Sequence, residues 1–196
     1  MAILSQQDYE TFEALRLHAL QIFDERPTTD PGVAAVEMMK REDVPMHYPL
    51  HHFIVPASLI IAASVSKNIS RDRVEDMLLQ AMERAVNVIG GFCGEYGACG
   101  AGVGAGIFMS VFTDSSPMSV KTWGWCNEIT GVCLQAIAKY DGPRCCKRTA
   151  FLSFAAAVPY ANEKLGTAMT VNEKQICDFY EMNRECKKKK CPFYPL

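Results

Sequence analysis

Gly90-Gly91-Phe92-Cys93-Gly94-Glu95-Tyr96-Gly97-Ala98-Cys99-Gly100-Ala101-Gly102-Val103-Gly104-Ala105-Gly106-Ile107-Phe108 carries eight of the chain's thirteen glycines and two of its nine cysteines. Glycine gives up the most backbone freedom on folding, so such a density persists where backbone passes close to something or turns through positive φ. From Gly100 to Phe112 the pattern becomes helical, and alternating glycines at that start leave amide donors exposed. Such a helix start can receive a carboxylate, a phosphate or cluster sulfides, which makes Gly100, Gly102 and Gly104 candidate binding residues. The same small residues also suit tight helix–helix packing. Two thiols with five residues between them, Glu95 among these, suggest a metal, a cluster or a reactive substrate.

Outward from this stretch the chain reads as helices with no convincing strand. Upstream, Ser70 caps a helix whose apolar stripe runs Val74, Met77, Leu78, Ala81, Met82, Ala85, Val86, Ile89. Before it, Phe53 to Val65 is apolar nearly all round and predicts a central helix, with Pro56 in its first turn. His51 and His52 then stand just ahead of that helix. The helix dipole there disfavours imidazolium, and a neutral ring is what a metal or a general base requires. Equally, one histidine caps the helix while the other faces solvent. Tyr9 to Phe23 and a helix opened by Asp30-Pro31 complete the N-terminal part.

Downstream, a helix is expected from Ser116-Pro117 to Asp141, with Cys126 and Cys133 on one face as buried thiols. Arg144-Cys145-Cys146-Lys147-Arg148 precedes an apolar helix towards Leu165, shortened or kinked at Pro159. Thr170-Val171-Asn172-Glu173 matches a capping box, predicting a last helix through Ile176, Phe179 and Tyr180. The fold class is therefore all-α, a single domain over residues 1–196 of about eight helices around a central apolar helix and a Gly-rich loop.

Composition bounds the function. The chain has 196 residues, 49% hydrophobic and 21% charged, which fits one globular core and excludes wholesale disorder. Net charge is -2, with acids concentrated at the N-terminal end and bases at the C-terminal end; this argues against a nucleic-acid partner. The acidic, amphipathic N-terminus does not resemble a secretory signal, and the Phe53–Val65 run is too short to span a bilayer. A cytoplasmic protein, off the membrane, is expected. Nine cysteines in a reducing compartment read as metal ligands or reactive thiols.

Cys177, Cys186 and Cys191 follow a C-x8-C-x4-C-P pattern with Cys145-Cys146 upstream. Zinc fingers use paired C-x2-C knuckles; irregular spacing ending in Cys-Pro suits an iron–sulfur cluster better, with zinc the alternative. One partition gives Cys177, Cys186, Cys191 and one of Cys145 and Cys146 to the metal. Cys93, Cys99, Glu95, His51 and His52 then form a reacting pocket for a small anionic molecule, with a cysteine as nucleophile and His or Glu95 moving protons. In another, thiols of both groups hold one cluster with an open iron. The cationic residues beside Cys145 and Cys146 favour thiolate. The function class is sulfur or redox chemistry on a small molecule; a non-catalytic zinc or cluster module, or an accessory methyltransferase subunit, is the competing class. A homo-oligomer is compatible with either.

Four segments carry a family resemblance: His51-His52-Phe53-x-Val55-Pro56-Ala57, Cys93-Gly94-x-x-Gly97-Ala98-Cys99-Gly100-Ala101-x-Val103-Gly104-Ala105-Gly106, Gly142-Pro143-Arg144-Cys145-Cys146-Lys147-Arg148, and Asn183-x-x-Cys186-x4-Cys191-Pro192-Phe193-Tyr194. From about His47 onward the chain resembles an uncharacterised Cys-rich domain of anaerobic prokaryotes, found alone or joined to methyltransferase or radical-SAM modules. The resemblance implies the same site residues and an oxygen-sensitive setting, and assigns no reaction.

Overall fold

The computed structural model describes residues 4–195, and among them there is no strand. Eight helices follow in order: α1 (Gln6–Glu25), α2 (Pro31–Met39), α3 (Leu50–Lys67), α4 (Arg71–Ala85), α5 (Phe92–Glu95), α6 (Gly100–Phe112), α7 (Thr122–Ala138) and α8 (Cys146–Leu165). A single 3-10 turn, Lys188–Lys190, lies in the C-terminal segment.

Local chemistry sets most of these ends. Ser5 and Asp8 form a reciprocal capping box at the start of α1. The Asp30 carboxylate accepts the Gly32 amide at 2.7 Å, ahead of Pro31 at the first helical position. Asn68 and Gly166 close α3 and α8 in the left-handed conformation.

Helix α3 is the axis of the molecule. It packs against α1, α2, α4, α6 and α8, and Phe53 through Ser64 are all buried. It is the one described helix long and apolar enough to cross a membrane, and 78% of it is buried inside the fold. It starts at Leu50, earlier than Pro56 suggested, so His51 and His52 lie in its first turn and Pro56 at its seventh position. Pro56 has no N–H to offer the His52 carbonyl. A Cβ on Gly104 would sit 3.1 Å from that carbonyl and 2.9 Å from Pro56 Cδ, so α6 covers the gap with bare backbone.

The alternating glycines of α6 form two interleaved i, i+4 stripes. Gly100 and Gly104 face α3, against the His52 ring and Pro56; Gly102 and Gly106 face α7, against Leu134 and Thr130. Steps of two residues turn a helix by about 200°, so alternate glycines serve opposite neighbours. Three helices can thereby approach closely around one backbone.

Other expectations need correcting. Helix α7 begins at Thr122, not Ser116, because Ser116 and Ser119 bond one another and the backbone in a separate turn. Helix α8 runs through Pro159, since the carbonyl left free at Ala155 is on an exposed face. The C-terminal helix is absent: residues 166–187 are turns and irregular chain. Asp30 overrides the capping box, its Oδ2 accepting the Asn172 amide at 3.0 Å, while the Thr170 amide bonds the Thr29 carbonyl.

Candidate metal centre and adjoining cavity

Helices α6 and α8 bring their N-termini to the same region, and each is headed by a cysteine: Cys99 precedes α6 and Cys145 precedes α8. The Arg148 amide donates to Cys145 Sγ at 3.5 Å. Around Cys99 Sγ lie the amides of Ala101 and Gly102 and the Thr149 hydroxyl. Those donors pull the Cys99 pKa down, but burial pushes it up further, so its resting form is the thiol.

Two spaces meet at Cys145. The first is small and partly open, of about 20 Å³, room for one water-sized body. Cys145, Cys177, Cys186 and Cys191 all line it, with Arg148, Asn183 and Lys187. The chain end is tied down here by the Cys177 amide bonding the Phe193 carbonyl at 2.8 Å. Burial, then the nearby Cys145, Cys191 and Cys186, pushes the Cys177 thiol up to about 11, and burial first raises Cys191 as well. Asn183 donates to Cys145 Sγ at 3.6 Å and accepts from His47 Nε2 at 3.2 Å.

The second is an open cavity of about 350 Å³, the size of a small-molecule pocket. Cys93, Cys99, Cys145, Cys146, His51, His52, Arg144, Arg148 and Thr149 contribute to its wall, and among the described residues no carboxylate does. Cys146 belongs on this side; burial first, then Cys99 and Cys145, pushes its thiol up to about 12. Arg148 is 5% exposed and lines both spaces. One terminal nitrogen bonds the Asp141 and Pro143 carbonyls, while its buried Nε has no partner among the described residues.

The two histidines part company. His51 Nδ1 bonds the Tyr48 carbonyl at 2.9 Å, and Nε2 accepts from Lys147 Nζ at 2.8 Å. Both its nitrogens are spent, and burial then Lys147 hold its pKa well below the usual range. His52 Nδ1 donates to the Val88 carbonyl at 2.6 Å, leaving Nε2 to the cavity; burial lowers its pKa, so the ring is neutral. The ring lies on Gly100, the residue next to Cys99.

The residues singled out by the sequence are thus sorted. Cys93, Cys99, His52 and Gly100 come together in the larger cavity. Glu95 does not join them: it is exposed, off the cavity wall, and folds back to within 3.0 Å of where a Gly91 Cβ would be. Gly102 and Gly104 also lie off the cavity, facing neighbouring helices instead. Cys145, Cys177, Cys186 and Cys191 converge, with Cys146 on the other side. Cys133 is core, its thiol pushed up to about 12 by burial. Among the described residues no group of three or more His, Cys, Asp or Glu side chains is arranged to hold a metal ion as it stands.

Sequence reasoning missed the burial of Lys147. Its side chain is 1% exposed, with Nζ on the Pro45 and Met46 carbonyls and on His51, and burial lowers its pKa to about 8. The signal available was its place between two cysteines at a helix start and an arginine, which reads equally as an exposed basic run. His47 and the supporting role of Asn183 were missed for the same reason: polar side chains in loops carry no periodicity.

No curated protein and no solved structure matches the chain. Residues 20–194 match one protein family throughout, and the chain belongs to that family of unknown function, DUF5714.

Proposed function

We propose that this chain is a cytoplasmic metal-binding enzyme of small-molecule sulfur or redox chemistry, with Cys145, Cys177, Cys186 and Cys191 holding an iron–sulfur cluster. The observation that carries the reading is that these four thiols line one small space. Cys145 and Arg148 also belong to a second cavity bearing Cys93, Cys99, Cys146 and His52. Four soft donors with an Asn183 N–H on one sulfur and Lys187 alongside fit a polythiolate centre, whose negative charge they offset. Among the described residues these thiols are not arranged to hold a metal as they stand, so binding one would require them to move together. A bound cluster would supply electron transfer or an open iron; the protein's own cavity residues would bind and orient the substrate. The anaerobic setting implied by the resemblance is part of this proposal.

A second reading has its own support. The small space these thiols share, about 20 Å³, suits one zinc ion better than a multi-iron body. Anaerobic purification followed by iron, zinc and acid-labile sulfide analysis decides between them. Iron with sulfide supports the cluster; one zinc per chain supports the second reading. Loss of metal in Cys186→Ser, with metal retained in Cys126→Ser, would place either at these thiols. A protein carrying neither, prepared anaerobically, overturns both.

A further inference from the structure

The larger cavity holds four thiols, one neutral imidazole with a free nitrogen and two guanidinium groups. Among the described residues its wall has no acid, in a chain with 22 Asp and Glu. Arg148 is the telling member. Its side chain is buried, one arm of its fork is anchored on two backbone carbonyls, and its Nε donor has no partner among the described residues. A buried guanidinium without a carboxylate is costly unless an anion completes it. Arg144, at the same wall, is half-exposed and 3.8 Å from Glu185, a loose pairing that leaves it free to turn.

From this arrangement we infer that the cavity binds a small oxyanion-bearing compound with a transferable sulfane sulfur, its anionic end on Arg148 and Arg144 and its sulfur against Cys99. This rests on the proposed sulfur chemistry of the same cavity and names its substrate class. Cys99 is the attacking thiol because it lines the cavity at the head of α6, next to Gly100, on which the His52 ring rests. His52 is the proton acceptor: its Nδ1–H is held by Val88, and its ring rests on Gly100 beside Cys99.

The step balances without an external oxidant. The Cys99 proton passes to His52 Nε2. The thiolate attacks the outer sulfur of the donor, a new S–S bond forms at Cys99, and the donor's own bond to that sulfur breaks. The leaving group departs with the electron pair as an anion; with thiosulfate it is sulfite. Cys99 is left as a persulfide, and Cys93 and Cys146 in the same cavity are the thiols positioned to take the sulfur onward.

Thiosulfate is the probe. Anaerobic incubation of the full chain with it should release sulfite and add one sulfur atom to the Cys99 peptide by mass spectrometry. Cys99→Ser should abolish both while leaving the metal content unchanged, which separates this test from that of the metal centre. Arg144→Gln, on the exposed arginine, should raise the thiosulfate concentration for half-maximal labelling about tenfold without altering the fold. Arg148→Gln should do the same, and circular dichroism identifies any misfolded preparation. No sulfur on Cys99 in a metal-replete protein, or an unchanged concentration dependence in both folded arginine variants, would overturn the inference.

Discussion

At the scale of single residues, the glycines of this chain are not equivalent, and the structure ranks them. A methyl on Gly104 meets the Pro56 ring and the His52 carbonyl, neither of which can move freely. Gly104→Ala should therefore destabilise by about 1–3 kcal/mol, as overpacking does. Gly131, inside α7, has nothing within 4 Å of the place a methyl group would occupy. Gly131→Ala should stabilise by about 0.5–1 kcal/mol through reduced backbone freedom in the unfolded chain. Urea denaturation of the two variants checks the pair; equal shifts in one direction would contradict it. The sequence pointed to both His51 and His52 as reactive, and could not separate them. Their difference lies in partners 36 and 96 positions away, Val88 and Lys147, which no local pattern records.

At the scale of elements, the existence of α1 to α4 and α6 to α8 was legible from apolar stripes and caps in the sequence. The start of α6 at Gly100 and the central placement of α3 follow directly from the residues. What failed was the last thirty or so residues, where Thr170–Glu173 has the right letters for a helix start. Tertiary bonds from Asp30 and Thr29 claim its amides instead. The candidate centre was half legible for a related reason: Cys145 and Cys146 are adjacent in the chain, and only the folded structure gives Cys145 to both spaces and Cys146 to the larger one alone. The irregular segment is fastened to the helical body by side-chain bonds such as Lys40–Asp178 at 2.9 Å and by the neighbourhood of its cysteines. If these cysteines hold a metal, as proposed, stripping it should loosen the segment further. A lysine-specific protease should then cut at Lys187–Lys190 several-fold faster than in the metal-replete protein, with the helical part resisting. Equal cutting rates in the two forms would mean that metal does not hold this segment.

At the scale of the whole molecule, acid should unfold the protein in two stages. All four histidines, His18, His47, His51 and His52, have pKa values lowered, chiefly by burial. Below the ordinary value near 6.5 the unfolded chain takes up protons that the native rings refuse, so stability falls as pH drops through that value. For the fully buried His51 the slope reaches about 1.4 kcal/mol per pH unit. Asp8, Glu13 and Asp43, lowered by hydrogen bonds from Tyr48, Arg16 and Arg41, add a loss of the same sign further into acid, below the ordinary carboxylate range. Urea midpoints at pH values of about 7 and 5.5, either side of the ordinary histidine range, should show the first stage, and His51→Gln should flatten it. A midpoint that rises on acidification would contradict the assignment.

The sealing of Lys147 has a practical consequence for amine chemistry. Mild acylating reagents should modify the exposed lysines, Lys188 to Lys190 among them, and pass over Lys147, whose nitrogen is shut behind two carbonyls and an imidazole. Its labelling rate would then report how often the first turn of α8 opens, a clock for breathing motions at the junction of the two compartments.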